Sequence, residues 1–399
     1  MKLNLGLKPF VLGILWLTGF AVGASTTPGF FRLSETGDFK RGQFQNTYLK
    51  ENGALSLTPG CRKISDIEAT IIWTVYENRD GLWIGTGHKG ELYRVSGGKK
   101  IEAPISLNAS EVLSIEEGPD GALYIGTAPK GVIYRLPRGS TTPEVFLILP
   151  ESYVWDLASD GKLIYAATGS SGKIYRLDLA TKKAEVFFTT SEDNVLEVRP
   201  TKNYVYASTG GRGYLYKIKS PKEFEILYDA GGRDINEFLF GEDGIILATS
   251  GKKLIAESSA SSYASGSPEN KTYYFQNEVI QVDDKGSFKS LFEIRNQTIP
   301  SIARQGENTI LVGTGEEGEI YNLDLRTRRS SLLHKLPGNS IAAFTASKNN
   351  THFVSGNGKA LYQLETEYAK KGTYTTDVFD TRGTSIWGRV LFTTAAAPG

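Results

Sequence analysis

Apolar residues along this chain come in short runs that alternate with glycine-rich or charged turns. Runs such as residues 71–75 and 154–157 are rich in β-branched and aromatic side chains and lack the spacing of an amphipathic helix, so they predict strands. Several runs are followed by an Asp-Gly pair, which is typical of tight hairpins. The pairs are Asp80-Gly81, Asp120-Gly121, Asp160-Gly161 and Asp243-Gly244. The pattern therefore predicts an antiparallel meander of short strands.

The same scheme of strands and turns recurs along the chain. Its marker is a threonine at the start of a glycine turn, spaced by 41, 41, 41, 40, 65 and 41 residues. The marker positions are Thr86, Thr127, Thr168, Thr209, Thr249, Thr314 and, with serine in its place, Ser355. Each copy contains four predicted strands, A to D. Seven such units predict an all-β fold, a seven-bladed β-propeller of four-stranded antiparallel blades, whose ring leaves no long open sheet edge.

An open solenoid of the same units is the structural alternative, but the two ends of the array look complementary. The seventh copy has clear strands A to C and no clear strand D, while residues 54–58 form a strand pattern before the first copy. We expect residues 54–58 to supply that strand and close the ring. The chain then divides into a signal segment (1–24), an N-terminal extension (25–52), the propeller (53–372) and a C-terminal β segment with a linker-like end (373–399), compatible with the start of a further domain.

The 65-residue interval contains an insertion, roughly residues 252–276, between strands B and C of blade five. It is rich in small and polar residues and carries three aromatic residues, Tyr263, Tyr273 and Tyr274. In a meander, the B–C turns and the D–A connections lie on one face of the disc, called here the B–C/D–A face. We expect the insertion to overhang the mouth of the central channel on that face. A surface excursion without a ligand is the alternative.

The first 24 residues have the features of a secretory signal. Lys2 and Lys8 precede an apolar run over residues 10–21, and Val22-Gly23-Ala24 supplies small residues at the cleavage position. The run is shorter than a membrane-spanning helix requires. We predict cleavage after Ala24 and a secreted or periplasmic protein, with an uncleaved membrane helix as the alternative.

Composition narrows the function classes. With 45 basic and 44 acidic residues, the chain lacks the charge excess of a nucleic-acid or polybasic membrane-surface protein. Cys61 is the only cysteine, so no intramolecular disulfide forms, and we expect a buried or merely tolerated thiol rather than a reactive nucleophile. The three histidines, His88, His334 and His352, do not have the spacing of a zinc site. Serine-hydrolase elbows and phosphate loops both lead into helices, which this pattern lacks.

One set of positions carries candidate chemistry. Aligning strand A of the seven blades places these residues at one equivalent position near the channel: Thr74, Ser114, Asp156, Glu197, Glu237, Ser301 and Ala342. Asp156, Glu197 and Glu237 are consecutive carboxylates, a donor type that suits a hard cation such as calcium or a cationic ligand group. The alternatives are a solvated channel lining or pairing with Arg199, Arg233 or Arg304.

Two further sets of side chains have a structural and a functional interpretation. His88 lies in the first B–C turn. It is interpreted either as a ligand contact or as a solvated turn residue. Aromatic residues recur with the blade period in strands A and C, which favours an interblade core over a carbohydrate platform. They are Trp73, Trp155, Tyr93, Tyr134, Tyr175 and Tyr216.

The segment IIWTVYENRDGLWIGT, residues 71–86, resembles the blade signature of periplasmic sensor propellers from bacterial two-component regulators. The similarity extends loosely over residues 71–364, and the chain also looks like secreted WD-repeat-like propellers. It departs from true WD repeats, since its only Trp-Asp pair, Trp155-Asp156, lies in strand A rather than at the end of strand C. The resemblance implies a propeller fold and an extracytoplasmic binding role, and it carries no catalytic residue across.

We therefore expect a monomeric, non-catalytic binding or scaffolding propeller that recognises a protein, peptide or glycan on its B–C/D–A face. Asp156, Glu197, Glu237, His88 and the three insertion tyrosines are the candidate ligand contacts. We expect no cofactor, with calcium held by the three carboxylates as the alternative. The alternative is a propeller enzyme, a metal-dependent lactonase or hydrolase or a lyase, that uses the same carboxylates.

Overall fold

The computed structural model describes residues 2–6, 10–11, 16–20, 29–31, 42–49, 54–97, 100–251, 254–258, 271–336, 338–346, 351–376, 386–391 and 395–396. Within these residues, seven antiparallel sheets surround a central channel and form the predicted seven-bladed propeller. Strand A of each blade is innermost and strand D is outermost. None of the described segments forms a helix with the length and hydrophobicity needed to cross a membrane.

The strands follow the predicted repeat. In the order A to D, they are Tyr153–Ser159, Ile164–Gly169, Lys173–Asp178 and Lys183–Thr189 in blade three, the most regular copy. The other early blades comprise Ile71–Asn78, Gly81–Gly87, Glu91–Ser96 and the short Lys100–Ile101 and Ile105–Ser106 (blade one); Glu111–Glu117, Leu123–Ala128, Val132–Leu136 and Glu144–Ile148 (two); Val195–Pro200, Val205–Thr209, Tyr214–Ser220 and Glu223–Asp229 (four). The later blades comprise Asp234–Gly241, Gly244–Ser250, Lys271–Val282 and Phe288–Arg295 (five); Ser301–Arg304, Thr309–Gly313, Glu319–Asp324 and Ser330–Lys335 (six); Ile341–Ala346, Thr351–Ser355, Ala360–Tyr368 and Pro59–Asp66 (seven).

The ring closes through an N-terminal strand, but not through residues 54–58. Strand Pro59–Asp66 pairs with Ala360–Tyr368 and places Cys61 opposite Leu364. The predicted segment instead contributes Leu55–Leu57, which pairs with Thr47–Leu49 outside the ring. Strand D is the outer strand and half of its side chains face solvent, so the polar stretch of residues 59–66 fits it better than the more apolar stretch before it.

The repeated threonine and glycine build the B–C/D–A face. In blades one to four the marker hydroxyl donates to the carbonyl of the first residue of strand C, for example Thr127 Oγ1 to Val132 O at 2.7 Å and Thr168 Oγ1 to Lys173 O at 2.8 Å. The turn glycine then bonds to the following D–A connection, as Gly172 N does to Asp193 O at 2.7 Å. Gly172 has φ of 60°, and a Cβ there would collide with a backbone carbonyl of that connection.

The recurring tyrosines of strand C are buried between blades, as predicted. Tyr93, Tyr134, Tyr175 and Tyr216 are at most 5% exposed, and each packs with strands of two neighbouring sheets. Burial of these tyrosine side chains between blades stabilises the propeller. The propeller depends on such packing, because the chain has no disulfide.

The two ends of the chain form small accessory sheets. Strand Lys371–Thr375 lies between Lys2–Gly6 and Gln43–Gln45, and Thr47–Leu49 lies against the outer strand of blade six. The remaining accessory strands are Phe10–Val11 with Ala395–Ala396, and Trp16–Phe20 with Gly29–Phe31 and Ile386–Leu391. Cleavage after Ala24, which stays a prediction, would remove the strands within residues 2–20 and leave the pairing of Gln43–Gln45 intact.

Candidate functional site

A β-bulge occupies the same place in strand A of six blades. It inserts one extra residue between two pairs of the A–B ladder, and that residue lines the central channel. The bulged residues are Trp73, Leu113, Trp155, Leu196, Asn236 and Ala342. The channel they surround encloses about 660 Å³, within the size range of ligand sites.

The residue after each bulge is the equivalent position predicted from the sequence. Asp156, Glu197 and Glu237 all lie there and line the channel. The assignment in blade seven was wrong by one residue: Ala342 is the bulged residue, and Ala343 is the true equivalent. In blade six Ser301 pairs with Gly313, twelve residues later, whereas in blade seven Ala343 pairs with Val354, eleven residues later. The A–B hairpin of blade seven is therefore one residue shorter, and counting forward from Ser301 by one 41-residue repeat falls one residue short.

The three carboxylates bond to the next blade. Asp156 Oδ2 accepts the N–H of Val198 at 3.0 Å, and Glu197 Oε2 accepts that of Phe238 at 2.6 Å. Glu237 Oε2 accepts the N–H of Ile302 at 2.8 Å. Strand A has no neighbouring strand on its channel side, so its inward N–H groups need other acceptors. The carboxylates therefore form a ladder that links blades three to six around the channel.

The sequence reasoning missed a fourth member of this ladder. Glu116 Oε1 accepts the N–H of Ser159 at 3.0 Å, the same kind of bond between blades two and three. Glu116 lies two residues beyond the equivalent position, so an alignment of that single position did not reveal it. The signal that would have found it is the inward-facing period of strand A, which places residues two apart on one face.

Arg199 lines the channel and pairs with two of these carboxylates. Its Nη1 donates to Asp156 Oδ2 at 2.9 Å. Its Nη2 lies 2.6 Å from Glu197 Oε1; this second contact is an ion pair without the geometry of a hydrogen bond. Of the three arginines considered, Arg199 alone pairs with these carboxylates: Arg233 pairs with Glu278, and Arg304 donates to backbone carbonyls. Across the described residues, no group of three or more His, Cys, Asp or Glu side chains is arranged to hold a metal ion.

Burial shifts the protonation of the channel toward neutral carboxyl groups. It raises the pKa of both Glu116 and Glu237 to about 7. It also raises the pKa of Asp156 and, more strongly, of Glu197, where the neighbouring carboxylates add to the effect and Arg199 opposes it. The channel therefore takes up or releases protons near neutral pH.

Two tryptophans lie in the channel wall toward the B–C/D–A face. Trp73 is 40% exposed, and its Nε1 donates to Glu111 Oε2 of blade two at 2.6 Å. Trp155 donates to Asn194 Oδ1 of the connection into blade four at 3.0 Å and stacks on Tyr153, with centroids 4.8 Å apart. The prediction that these two rings belong to the interblade core was wrong, because the bulge turns each one out of the layer between blades.

The polar partners of the tryptophans occupy equivalent positions, since Glu111 and Asn194 each directly precede the first buried valine of a strand A. His88 lies next to this group. It is exposed, its backbone N–H donates to Glu111 Oε1 at 3.3 Å, and its Nδ1 lies 3.5 Å from the same oxygen. The structure thus brings His88 together with Trp73 through Glu111. We call the surface formed by Trp73, Trp155, Glu111, Asn194 and His88 the channel mouth.

The insertion of blade five continues its strand C away from the disc. Leu254–Ser258 pairs with the beginning of Lys271–Val282 to form a hairpin on the B–C/D–A side. Tyr273 is 59% exposed on it, and the Arg295 guanidinium lies 4.2 Å from the ring centre of Tyr274. None of the described hairpin residues lines the channel. Tyr263 lies outside the described residues, and coverage of the mouth by the insertion stays a prediction.

Comparisons with known proteins support the fold. No protein-family model and no curated protein matches the chain. Among solved structures, it is similar to the extracellular domain of the putative one-component system BT4673 from B. thetaiotaomicron, at TM-score 0.55 and 16% identity over 76% of this chain. The chain spans about 40% of that BT4673 structure.

Two other chains from solved structures match over almost their whole length. YCF48 bound to D1 peptide has TM-score 0.56 and 13% identity over 77% of this chain and 97% of its own. Kuenenia stuttgartiensis hydrazine synthase has TM-score 0.56 and 12% identity over 76% of this chain and 98% of its own. At these identities the similarity shows the propeller fold alone, shared by sensor, binding and catalytic proteins.

Proposed function

We propose that this chain is a non-catalytic binding propeller that acts outside the cytoplasm and holds a polypeptide segment at its channel mouth. The observation that carries the proposal is the pair of tryptophans, each presented by a β-bulge and each fixed through its indole N–H by the following blade. Bulges beside functional sites commonly redirect a side chain, and an anchored aromatic ring offers a large contact area at little cost in conformational entropy.

The binding role draws on the fold comparison as well. YCF48, which shares this fold, was solved with a peptide, and the extracellular BT4673 domain belongs to a sensor system. The predicted signal segment agrees with an extracytoplasmic location. A glycan is the competing ligand class, since tryptophan rings also stack on sugars.

The enzymatic alternative has less support in the geometry. A carboxylate that serves as a metal ligand must direct an oxygen at the metal ion, and one that serves as acid or base must direct an oxygen at the substrate. Asp156, Glu197 and Glu237 each direct an oxygen at a backbone N–H of the next blade, and two of them also contact Arg199. Their arrangement supports a structural ladder between blades. The negative charge that Arg199 does not neutralise is available to bind a ligand.

The proposal is tested by selecting peptides from a random display library on the wild-type protein and measuring the affinity of the best ones. We expect replacement of both Trp73 and Trp155 by alanine to weaken binding at least tenfold. Tyr368→Ala, which removes a 63% exposed ring from strand C of blade seven, is the matched control and should bind as wild type does. Selected peptides that bind the double variant equally well would place the site elsewhere, and enrichment only on a glycan array would replace the polypeptide by a sugar.

A further inference from the structure

We propose that the ligand inserts a cationic side chain, arginine or lysine, into the channel mouth, where the two tryptophan rings and the carboxylates beyond them receive it. This inference rests on the proposed function and specifies the chemistry of the ligand. It follows from the order of residues along strand A and from the balance of charges in the channel.

Strand A places aromatic and acidic groups at successive depths. In blade three, Trp155 directly precedes Asp156, so the ring is followed by a carboxylate one residue further into the channel. In blades four and five, the carboxylates Glu197 and Glu237 occupy the same depth. A side chain that enters past the rings therefore meets acidic groups contributed by three consecutive blades.

The channel has more acidic than basic side chains. Its charged lining consists of Glu116, Asp156, Glu197 and Glu237 against two arginines. Arg304 is committed to the carbonyls of Phe240 and Glu307. Arg199 pairs with Asp156 and Glu197. Within the described part of the chain, no basic side chain lies within ion-pair distance of Glu116 or Glu237, so an incoming cation has two carboxyl groups to neutralise.

An indole face and a carboxylate together favour a cation over a neutral group. A guanidinium or ammonium over an indole ring is attracted by the electrons of the ring, and the attraction grows when water is excluded. A neutral sugar gains the stacking but leaves the carboxyl groups without a counter-charge. The charge of the channel therefore argues for a basic peptide rather than a glycan.

Proton release is a second signature of this arrangement. With pKa values near 7, Glu116 and Glu237 are partly protonated in the empty channel at neutral pH. A cation bound beside them stabilises their ionised forms and expels protons. Asp156, Glu197 and Arg199 face the same space and take part in this equilibrium. A neutral ligand at the mouth would leave proton uptake almost unchanged.

The test compares two blocked pentapeptides, Gly-Gly-Arg-Gly-Gly and the same peptide with citrulline, an uncharged isostere of arginine. Binding is followed by tryptophan fluorescence and by calorimetry at pH 7 in phosphate and in Tris, whose ionisation enthalpies differ. We expect the arginine peptide to bind at least tenfold more tightly, with proton release, and the Trp73→Ala, Trp155→Ala double variant to lose at least tenfold. Glu237→Gln should weaken the arginine peptide severalfold and reduce the proton release.

Glu225→Gln, which neutralises a 66% exposed carboxylate on the outer strand of blade four, is the matched control and should leave both readings unchanged. Equal binding of the two peptides, or a Glu237→Gln variant with wild-type affinity and proton release, would overturn the inference while the proposed function stands. Absence of binding by every peptide, including those from the display selection, would overturn both.

Discussion

Replacing Glu237 by glutamine should stabilise the ring at neutral pH, although Glu237 bonds to the next blade. The bond from the Ile302 N–H ends on a carboxyl oxygen, and the amide oxygen of glutamine can accept it in the same place. What the substitution removes is the cost of holding a carboxylate in the channel. Asp156 and Glu197 add to that cost, and Arg199 reduces it.

The magnitude follows from the pKa of Glu237, which burial raises from 4.5 to about 7. Because the folded-state pKa lies above the unfolded-state value, the folded ring holds the proton more tightly. Its contribution to stability is complete below pH 4.5 and is lost as the pH rises through about 7. The full difference between the folded-state and unfolded-state pKa corresponds to about 3 kcal/mol in the free energy of unfolding. Part of the side chain is exposed to the channel, so we expect about 1–3 kcal/mol.

The assay is the midpoint of thermal unfolding, measured from pH 4.5 to pH 8 for wild type, Glu237→Gln and the control Glu225→Gln. For a ring of roughly 300 residues, the expected gain of the variant at pH 7.5 is about 2–5 °C over wild type. At pH 4.5 the two proteins should differ little, because wild-type Glu237 is then protonated. Glu116→Gln should behave in the same way, since its pKa is also raised to about 7 by burial.

The reasoning fails if Glu237→Gln has a lower midpoint than wild type by the same amount at every pH. That result would mean that Glu237 is ionised and net stabilising throughout, with Arg199 outweighing the effect of burial. A midpoint difference that changes with pH equally in the Glu225→Gln control would also contradict it, since the change would not come from the channel.

Three other predictions concern the ring and its ends. Gly172→Ala should lower the free energy of unfolding by at least about 2 kcal/mol, because the new Cβ meets a backbone carbonyl. Gly161→Ala, which is also at positive φ but has open space around it, should lower it by about 1 kcal/mol. Chemical denaturation of both variants measures the difference, and equal losses would exclude the collision as the cause. Burial raises the pKa of Cys61 to about 12, so at pH 8 a thiol reagent should label the folded ring at least 100-fold more slowly than the urea-unfolded chain, and fast labelling would mean that the closing strand opens readily. Mass spectrometry of the exported protein should find Ser25 as the first residue, and an intact Met1 in the exported chain would contradict signal cleavage.

Much of the fold could be predicted because it depends on local periodicity. In most blades the marker threonine bonds across the B–C turn to a carbonyl five residues later, and the turn glycine avoids a collision with the following D–A connection, so both recur with the repeat. The tyrosines of strand C follow the same period and were placed correctly. The closing strand was placed a few residues too early, since an outer strand has a weaker apolar pattern than the segment before it.

The candidate site could be predicted only in part. Equivalent positions in strand A located three channel carboxylates, because equivalent residues of successive blades lie at the same depth in the channel. The alignment did not show what those carboxylates bond to, since each partner is an N–H 41 to 65 residues further along, made available by the inner edge of a neighbouring sheet. The A–B hairpin of blade seven is one residue shorter than that of blade six, which shifted the alignment of blade seven by one residue.

The sequence by itself determined the number of blades, their strand order, the face that carries the B–C turns and the position of the insertion, since all of these are written in spacings within one repeat. The tertiary structure decided which side chains are available to a ligand. Trp73 and Tyr93 recur with one period, yet the first is exposed at the mouth and the second is buried between blades. The difference comes from a single extra residue in strand A, whose effect on side-chain direction exists only when the blades are packed around a channel.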